Sequence, residues 1–254
     1  MSSTPMEPVT PPAEPVEPGM NVLERAVAMF TSPANAWRGL RHQSQFWFPM
    51  LLMVLITTVF TAVMWDRAIV PDMREGWQQA VDNGQTTQDQ IDKTEAAMNG
   101  PVPRIVSVVT YGVITAIWLL LAALGTWFGV GFILGTKFSY RLALEVAAWS
   151  ALITIPATFV TGGLAWTQES LRHATLGLGT LLPDLETPNK LMAGVKAFLN
   201  FIGPFSVWSL VVTILGASAL SGAPRKPVAW VSVGLFLVFA LFGAAMAAML
   251  GPGR

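Results

Sequence analysis

Five apolar stretches dominate this chain, at 46–65, 105–134, 142–166, 198–220 and 228–250. Each is long enough for a helix rising about 1.5 Å per residue to cross roughly 30 Å of hydrocarbon. No water satisfies exposed backbone groups in lipid, so segments of this kind are confined to helices. The expected fold class is all-α: a polytopic membrane helical bundle with five transmembrane helices, cytoplasmic interfacial helices and an extracytoplasmic helical hairpin. Charged residues make up 12% of the 254 and hydrophobic ones 53%. Soluble domains carry about 25% charged residues, so a single soluble domain is excluded.

The segments between the stretches have their own character. Residues 1–19 hold six prolines with Glu7, Glu14 and Glu17 and almost nothing apolar to bury, which predicts a disordered tail without a cleavable signal peptide. From 20 to 45 the spacing predicts amphipathic interfacial helices. Leu23, Val27 and Phe30 form one stripe with Glu24 and Arg25 on the other side; Ser32 and Pro33 then open a second turn in which Trp37 and Leu40 share a face away from Arg38. The second stretch is uncharged from Ile105 through Thr136, longer than one span needs, so it must tilt or project. Trp47, Trp65, Tyr140, Trp166 and Trp230 fall near segment ends, where amphipathic rings prefer the headgroup layer.

An odd number of spans puts the termini on opposite sides. Flanking Lys and Arg divide seven against eight: Arg25, Arg38, Arg41, Lys137, Arg141, Arg225 and Lys226 against Arg67, Arg74, Lys93, Arg104, Arg172, Lys190, Lys196 and Arg254. The first set includes two very short connectors free of acids, and short basic loops stay in the cytoplasm. The N-terminus is therefore expected inside and the C-terminus outside. In the first outer loop, 66–103, Met73, Trp77 and Val81 predict one helix. Asn83-Gly84 marks a turn, Thr87 and Gln90 have capping-box spacing for a second helix, and Asn99-Gly100-Pro101 ends it. The second outer loop, 167–196, has an apolar middle at Leu176, Leu178, Leu181 and Leu182 that is read as able to dip into the interface.

Formal charge balances at +0, so no basic field holds nucleic acid. The absence of cysteine removes disulfides and thiolate chemistry, and His42 and His173 both lie outside the spans. HExxH, GxSxG, GxGxxG and Walker motifs are missing. No enzyme, metal or cofactor is expected. Glu145 is the one acid near a span, and Arg141 stands one helical turn before it. An i,i+4 pair with the arginine reaching to the headgroups explains both residues; a role in transport or partner binding is the other reading. If Glu145 serves only Arg141, Glu145→Gln leaves abundance and phenotype nearly unchanged. Asn200, Ser206, Ser209, Thr57, Thr58, Thr61, Ser150 and Thr154 either line a polar path or bond helix to helix. Pro156 is expected to break the third helix and Gly203-Pro204 the fourth. Gly125-x-x-x-Gly129 and Gly131-x-x-x-Gly135 permit close approach to the second span, within the bundle rather than between copies.

The order of these parts carries a resemblance. "MFTSPANAWRGL" before a span opening "FWFPMLL", then "FSYRLALEVAAWSALITIPATF" with its central Pro156, then "FLNFIGPFSVWSLVVTILGASALSG" with Phe205, Trp208 and Gly216, resembles Yip1-domain proteins of bacterial type from about Val27 to Leu250. The resemblance implies five spans, a cytoplasmic N-terminus and, in a bacterium, the inner membrane. Eukaryotic relatives are tied to vesicle traffic and prenylated small GTPases of the Rab type. Their Asp-Leu-Tyr-Gly-Pro motif is absent here; Asn200 and Gly203-Pro204-Phe205 are a partial echo. The expected function is a non-catalytic scaffold, adaptor or membrane organiser in contact with the lipid bilayer and with membrane or cytoplasmic protein partners, its oligomeric state open. The alternative is a small-solute permease or channel component. Arg141, Glu145, Pro156, Asn200, Pro204 and Trp208 are the candidate functional or structural residues.

Overall fold

The computed structural model describes residues 19–82, 84–98, 100–170, 174–182 and 190–250. The Pro/Glu-rich tail through residue 18, Asn83, Asn99, His173 and the middle of the second long loop lie outside the described residues. Ten α-helices are described: α1 (Val22–Thr31), α2 (Trp47–Met64), α3 (Val70–Asp82), α4 (Gln88–Met98), α5 (Pro101–Thr126), α6 (Tyr140–Ala151), α7 (Ile155–Gln168), α8 (Lys190–Phe201), α9 (Pro204–Ser221) and α10 (Arg225–Leu250). Wider π turns continue α2 over Trp65–Ile69 and α5 over Trp127–Ile133, and a 3-10 turn at Leu152–Thr154 joins α6 to α7. Five continuous helical stretches are long and apolar enough to span a membrane: Trp47–Asp82, Pro101–Ile133, Tyr140–Gln168, Pro204–Ser221 and Arg225–Met249.

Half of the apolar window of the third span is buried, against 11–22% in the other four, so this span is the axis of the bundle. The others turn apolar faces outward. In α2, Leu51, Leu55, Val59 and Val63 recur every fourth residue and are all more than half exposed, a stripe that lipid covers. The opposite face meets α5, where Gly112 leaves room for the Thr58 hydroxyl. Further along α5, Gly125 lies against Phe239 and Gly129 against Val231 and Leu235 of α10. The GxxxG spacing thus serves packing within the bundle, as expected. Gly135 instead takes a left-handed backbone, φ +62°, in the short connector to α6.

Several sequence expectations are corrected. Both helices of the hairpin are present, but the first does not start afresh: α3 continues from the first span through the π turn, and α4 is joined to it by the Arg74–Glu95 pair. Trp65 is 4% exposed, packed with Met64, Ile69, Met73 and Met98 where α2 passes into α3. The capping box of α4 is half formed, with Gln90 Oε1 accepting from Thr87 N at 3.5 Å. Pro156 tightens the third span without breaking it: Ile155 N–H closes a 3-10 bond to the Leu152 carbonyl, and the proline enters at the first turn of α7, where a missing N–H costs nothing. Gly203-Pro204 does interrupt the fourth stretch. It begins at Pro204 rather than 198, and residues before the break belong to α8, which packs against α10.

Ion pairs on the hairpin join its parts. Arg74 pairs with Glu95, Arg104 with Asp66 at 3.1 Å, and Lys93 with Asp89 at 2.6 Å one turn apart on α4. Both partners of the Lys93 pair are about three-quarters exposed. Lys93→Ala is therefore expected to shift stability by less than about 0.5 kcal/mol, read from thermal unfolding in micelles.

Candidate functional site

Residues 19–45 form a collar packed against α6, the 3-10 turn and α9. Asn21 starts α1 with a reciprocal box: its side chain accepts from Leu23 N at 3.0 Å and Glu24 N at 2.9 Å, while Glu24 Oε2 accepts from Asn21 N at 3.2 Å. The box fixes the start of α1, and the apolar stripe and the Arg25 side of the helix separate as the spacing implied. Leu23, Val27 and Phe30 face outward at 67%, 62% and 43% exposure, whereas Arg25 is fully buried with Ala28 and Met29. Residues 33–42 form successive turns and no second helix. Trp37 and Leu40 are nevertheless buried together, as their spacing implied. The Trp37 ring lies on α9, where Gly216 has no side chain to displace it.

Arg25 organises the collar from inside. Its Nη1 donates to the carbonyls of Ala36 and, at 3.0 Å, Arg38; Nη2 donates to Met20 O at 3.3 Å; Nε donates to Gln45 Oε1 at 2.8 Å. Burial draws the guanidinium below its ordinary pKa, and the charge of Glu145 opposes that shift. Gln45 is the bridge. Its Nε2 also donates to Met20 O at 3.2 Å, and its backbone N–H donates to Glu145 Oε1 at 2.8 Å. Glu145, fully buried in α6, further accepts from Trp149 Nε1 at 3.2 Å, from Phe46 N–H and from the Ser44 hydroxyl. The Arg25 guanidinium stands 5.8 Å from the centroid of the same Trp149 ring, within the range of a cation–π contact.

Arg141 is close to Glu145 at 3.8 Å, but its stronger bonds go elsewhere: Nη1 to Leu40 O at 3.3 Å and Nη2 to Arg41 O at 2.6 Å. It clamps the collar's carbonyls. The expected i,i+4 pair is thus one edge of a larger network that fastens residues 20–45 to the third span. Arg25, Gln45 and Trp149 were missed in the sequence because a stripe of Leu, Val and Phe outweighs one of Arg, Ala and Met by hydrophobicity. In a membrane protein the most apolar face can belong to lipid.

The polar residues of the spans divide. Ser150, Thr154, Ser206 and Ser209 come together with Thr126, Thr213 and Ser232 around a cavity of about 290 Å³ among α5, α6, α9 and α10. Ser209 Oγ donates to Ser150 O at 3.0 Å beside the 3-10 turn, and the Ser150 hydroxyl is buried without a partner among the described residues. Thr57, Thr58 and Thr61 are on α2, with Thr58 against α5. Asn200 sits at the end of α8 under the chain at 175–179, accepting from Thr175 Oγ1 at 3.3 Å, and Gly177 and Gly179 lie directly on it. Pro204 starts α9, and Trp208 is 43% exposed on its outer side. Of the expected site residues, Arg141 and Glu145 meet; Pro156, Asn200, Pro204 and Trp208 do not join them.

This arrangement defines a multi-pass all-α membrane protein whose leading segment is locked to its central span. A family model described as Yip1 domain matches residues 27–247, nearly the whole chain. The chain belongs to the Yip1 family. Comparison with curated proteins and with solved structures found no match.

Proposed function

We propose that this protein is a non-catalytic scaffold or adaptor whose collar is a fixed docking platform, with the N-terminus in the cytoplasm and the C-terminus outside. The observation that carries the reading is the bonding of Arg25, Gln45, Glu145 and Arg141, which holds the collar against the bundle and leaves Leu23, Val27 and Phe30 outward. Partner contacts made there are made on a preorganised surface, which lowers the ordering entropy of binding. Glu145, the acid inside the third apolar span, is occupied by structural donors, which supports a role without catalysis. The permease alternative draws on the hydroxyl-lined cavity. Thr57, Thr58, Thr61 and Asn200, which a continuous path would need, are not among its lining residues.

Photo-crosslinking groups placed at Leu23 and Val27 of the full-length protein in its native membrane test the platform. A reproducible protein adduct that disappears in Glu145→Ala is the expected result; lipid adducts alone, with solute flux in liposomes, would transfer the reading to a permease. Reporters after Gln79 and Ala223 test orientation. The first is expected to behave as extracytoplasmic and the second as cytoplasmic, and the reverse pattern would overturn the topology.

A further inference from the structure

The collar face holds a second feature, distinct from the buried network. A cavity of about 620 Å³ opens where Arg41, the connector at Thr136 and Lys137, and the turn from α9 to α10 meet, with walls from Leu134 and Leu220. It lies at the ends of three spans, Ile133, Ser221 and Arg225, and so at headgroup depth. Its lining contains two cations and no acid. Arg41 Nη2 reaches the last turn of α9, donating to Ala219 O at 3.2 Å.

The neighbouring turn makes the charge imbalance sharper. The first two residues of α10 are Arg225 and Lys226, and its first turn has no acid. A helix N-terminus already bears partial positive charge from unpaired N–H groups, so cations there repel the helix dipole and an anion relieves them. Among the described residues no countercharge is at hand. Among the described residues of this face the acids are Glu24 and Glu145, one engaged in the Asn21 box and the other buried under the collar. The side chains of Lys137, Arg225 and Lys226 make no hydrogen bond or ion pair among the described residues.

We propose that this cavity binds the phosphate of an anionic phospholipid headgroup, with Arg41 and Lys137 as direct contacts and Arg225 and Lys226 at its rim. Leu134, partly exposed in the cavity wall, then meets the start of the lipid's acyl region, which a free phosphate would leave uncovered. The inference stands apart from the adaptor reading and holds for either orientation.

Native mass spectrometry of the full-length protein, delipidated in micelles and offered phosphatidylglycerol or phosphatidylcholine of matched chains, tests it. Each Lys or Arg near an anionic surface corresponds to about a fivefold change in occupancy. Preferential retention of phosphatidylglycerol is expected, falling about 25-fold in the Arg41→Gln, Lys137→Gln double variant and unchanged in Lys93→Gln on the opposite face. If that variant does not elute as folded protein, Arg225→Gln with Lys226→Gln decides, with the same direction of loss. Equal retention of both lipids, or a preference that survives these changes, would overturn the proposal and leave the cations as orientation signals. Protection of the protein by inorganic phosphate without retention of phosphatidylglycerol would overturn the lipid source.

Discussion

Glu145→Ala is expected to lower stability by about 3–5 kcal/mol, because it removes one member of a buried charge network and leaves the others in place. The N–H groups of Gln45 and Phe46 lose their acceptor, Trp149 Nε1 loses its bond, and the buried Arg25 loses the charge that offsets its desolvation. Thermal unfolding in micelles measures the first effect. Limited proteolysis measures the second, since residues 19–45 should become cleavable before the spans unfold. Glu145→Gln should fall between: an amide oxygen still accepts from Gln45, but the charge is gone. This revises the near-neutral expectation that followed from pairing with Arg141 alone. Arg25→Met combined with Glu145→Leu should recover much of the loss, because replacing both buried charges by apolar groups removes the desolvation penalty. A collar that stays protected in Glu145→Ala would show that apolar packing alone holds it.

The second large effect is expected at Gly216. A Cβ there would stand 2.5 Å from Trp37 Cζ2 and 2.6 Å from two more ring atoms. Trp37 is 3% exposed and has Leu40, Trp149 and Val212 in the same buried cluster, so the ring has little room to retreat. Gly216→Ala should destabilise by about 1–3 kcal/mol through overpacking. Gly163→Ala is the matched control, since nothing lies within 4 Å of its added methyl group, and that change should be neutral or stabilising by up to about 1 kcal/mol. Trp37→Leu should soften the Gly216→Ala effect, a coupling that a double-mutant cycle resolves. Additive losses would mean that the two residues do not share this contact.

The spans were legible because hydropathy over 18 or more residues is set by the bilayer and owes little to tertiary contacts. The break at Gly203-Pro204 was legible for a local reason, the missing proline N–H. The collar was not. Its inward face is built from Arg25, Ala28 and Met29, and what makes Arg25 tolerable inside is supplied by carbonyls at Met20, Ala36 and Arg38 and by Gln45. None of these has a periodic signature. The pairing of Arg141 with Glu145 was half legible: helix spacing identified the partners, but Glu145 takes its shortest described bond from Gln45, a hundred residues away in the chain. The burial of Trp65 was hidden for a similar reason. Its place near a segment end carries no sign that the passage of α2 into α3 surrounds it with Met73 and Met98.

The unequal reach of the spans has a consequence for the surrounding bilayer. The fourth span, at 18 residues, extends about 27 Å, while the helical stretch from Pro101 to Ile133, at 33 residues, extends about 50 Å. Lipids packed against α9 meet a helix at or just below the usual hydrocarbon thickness, whereas the stretch from Pro101 must tilt or project to be accommodated. The two flanks therefore make unequal demands on the bilayer, at a fraction of a kcal/mol for each ångström of mismatch that tilting does not absorb. A membrane region of graded thickness would orient the protein in the plane through that difference alone.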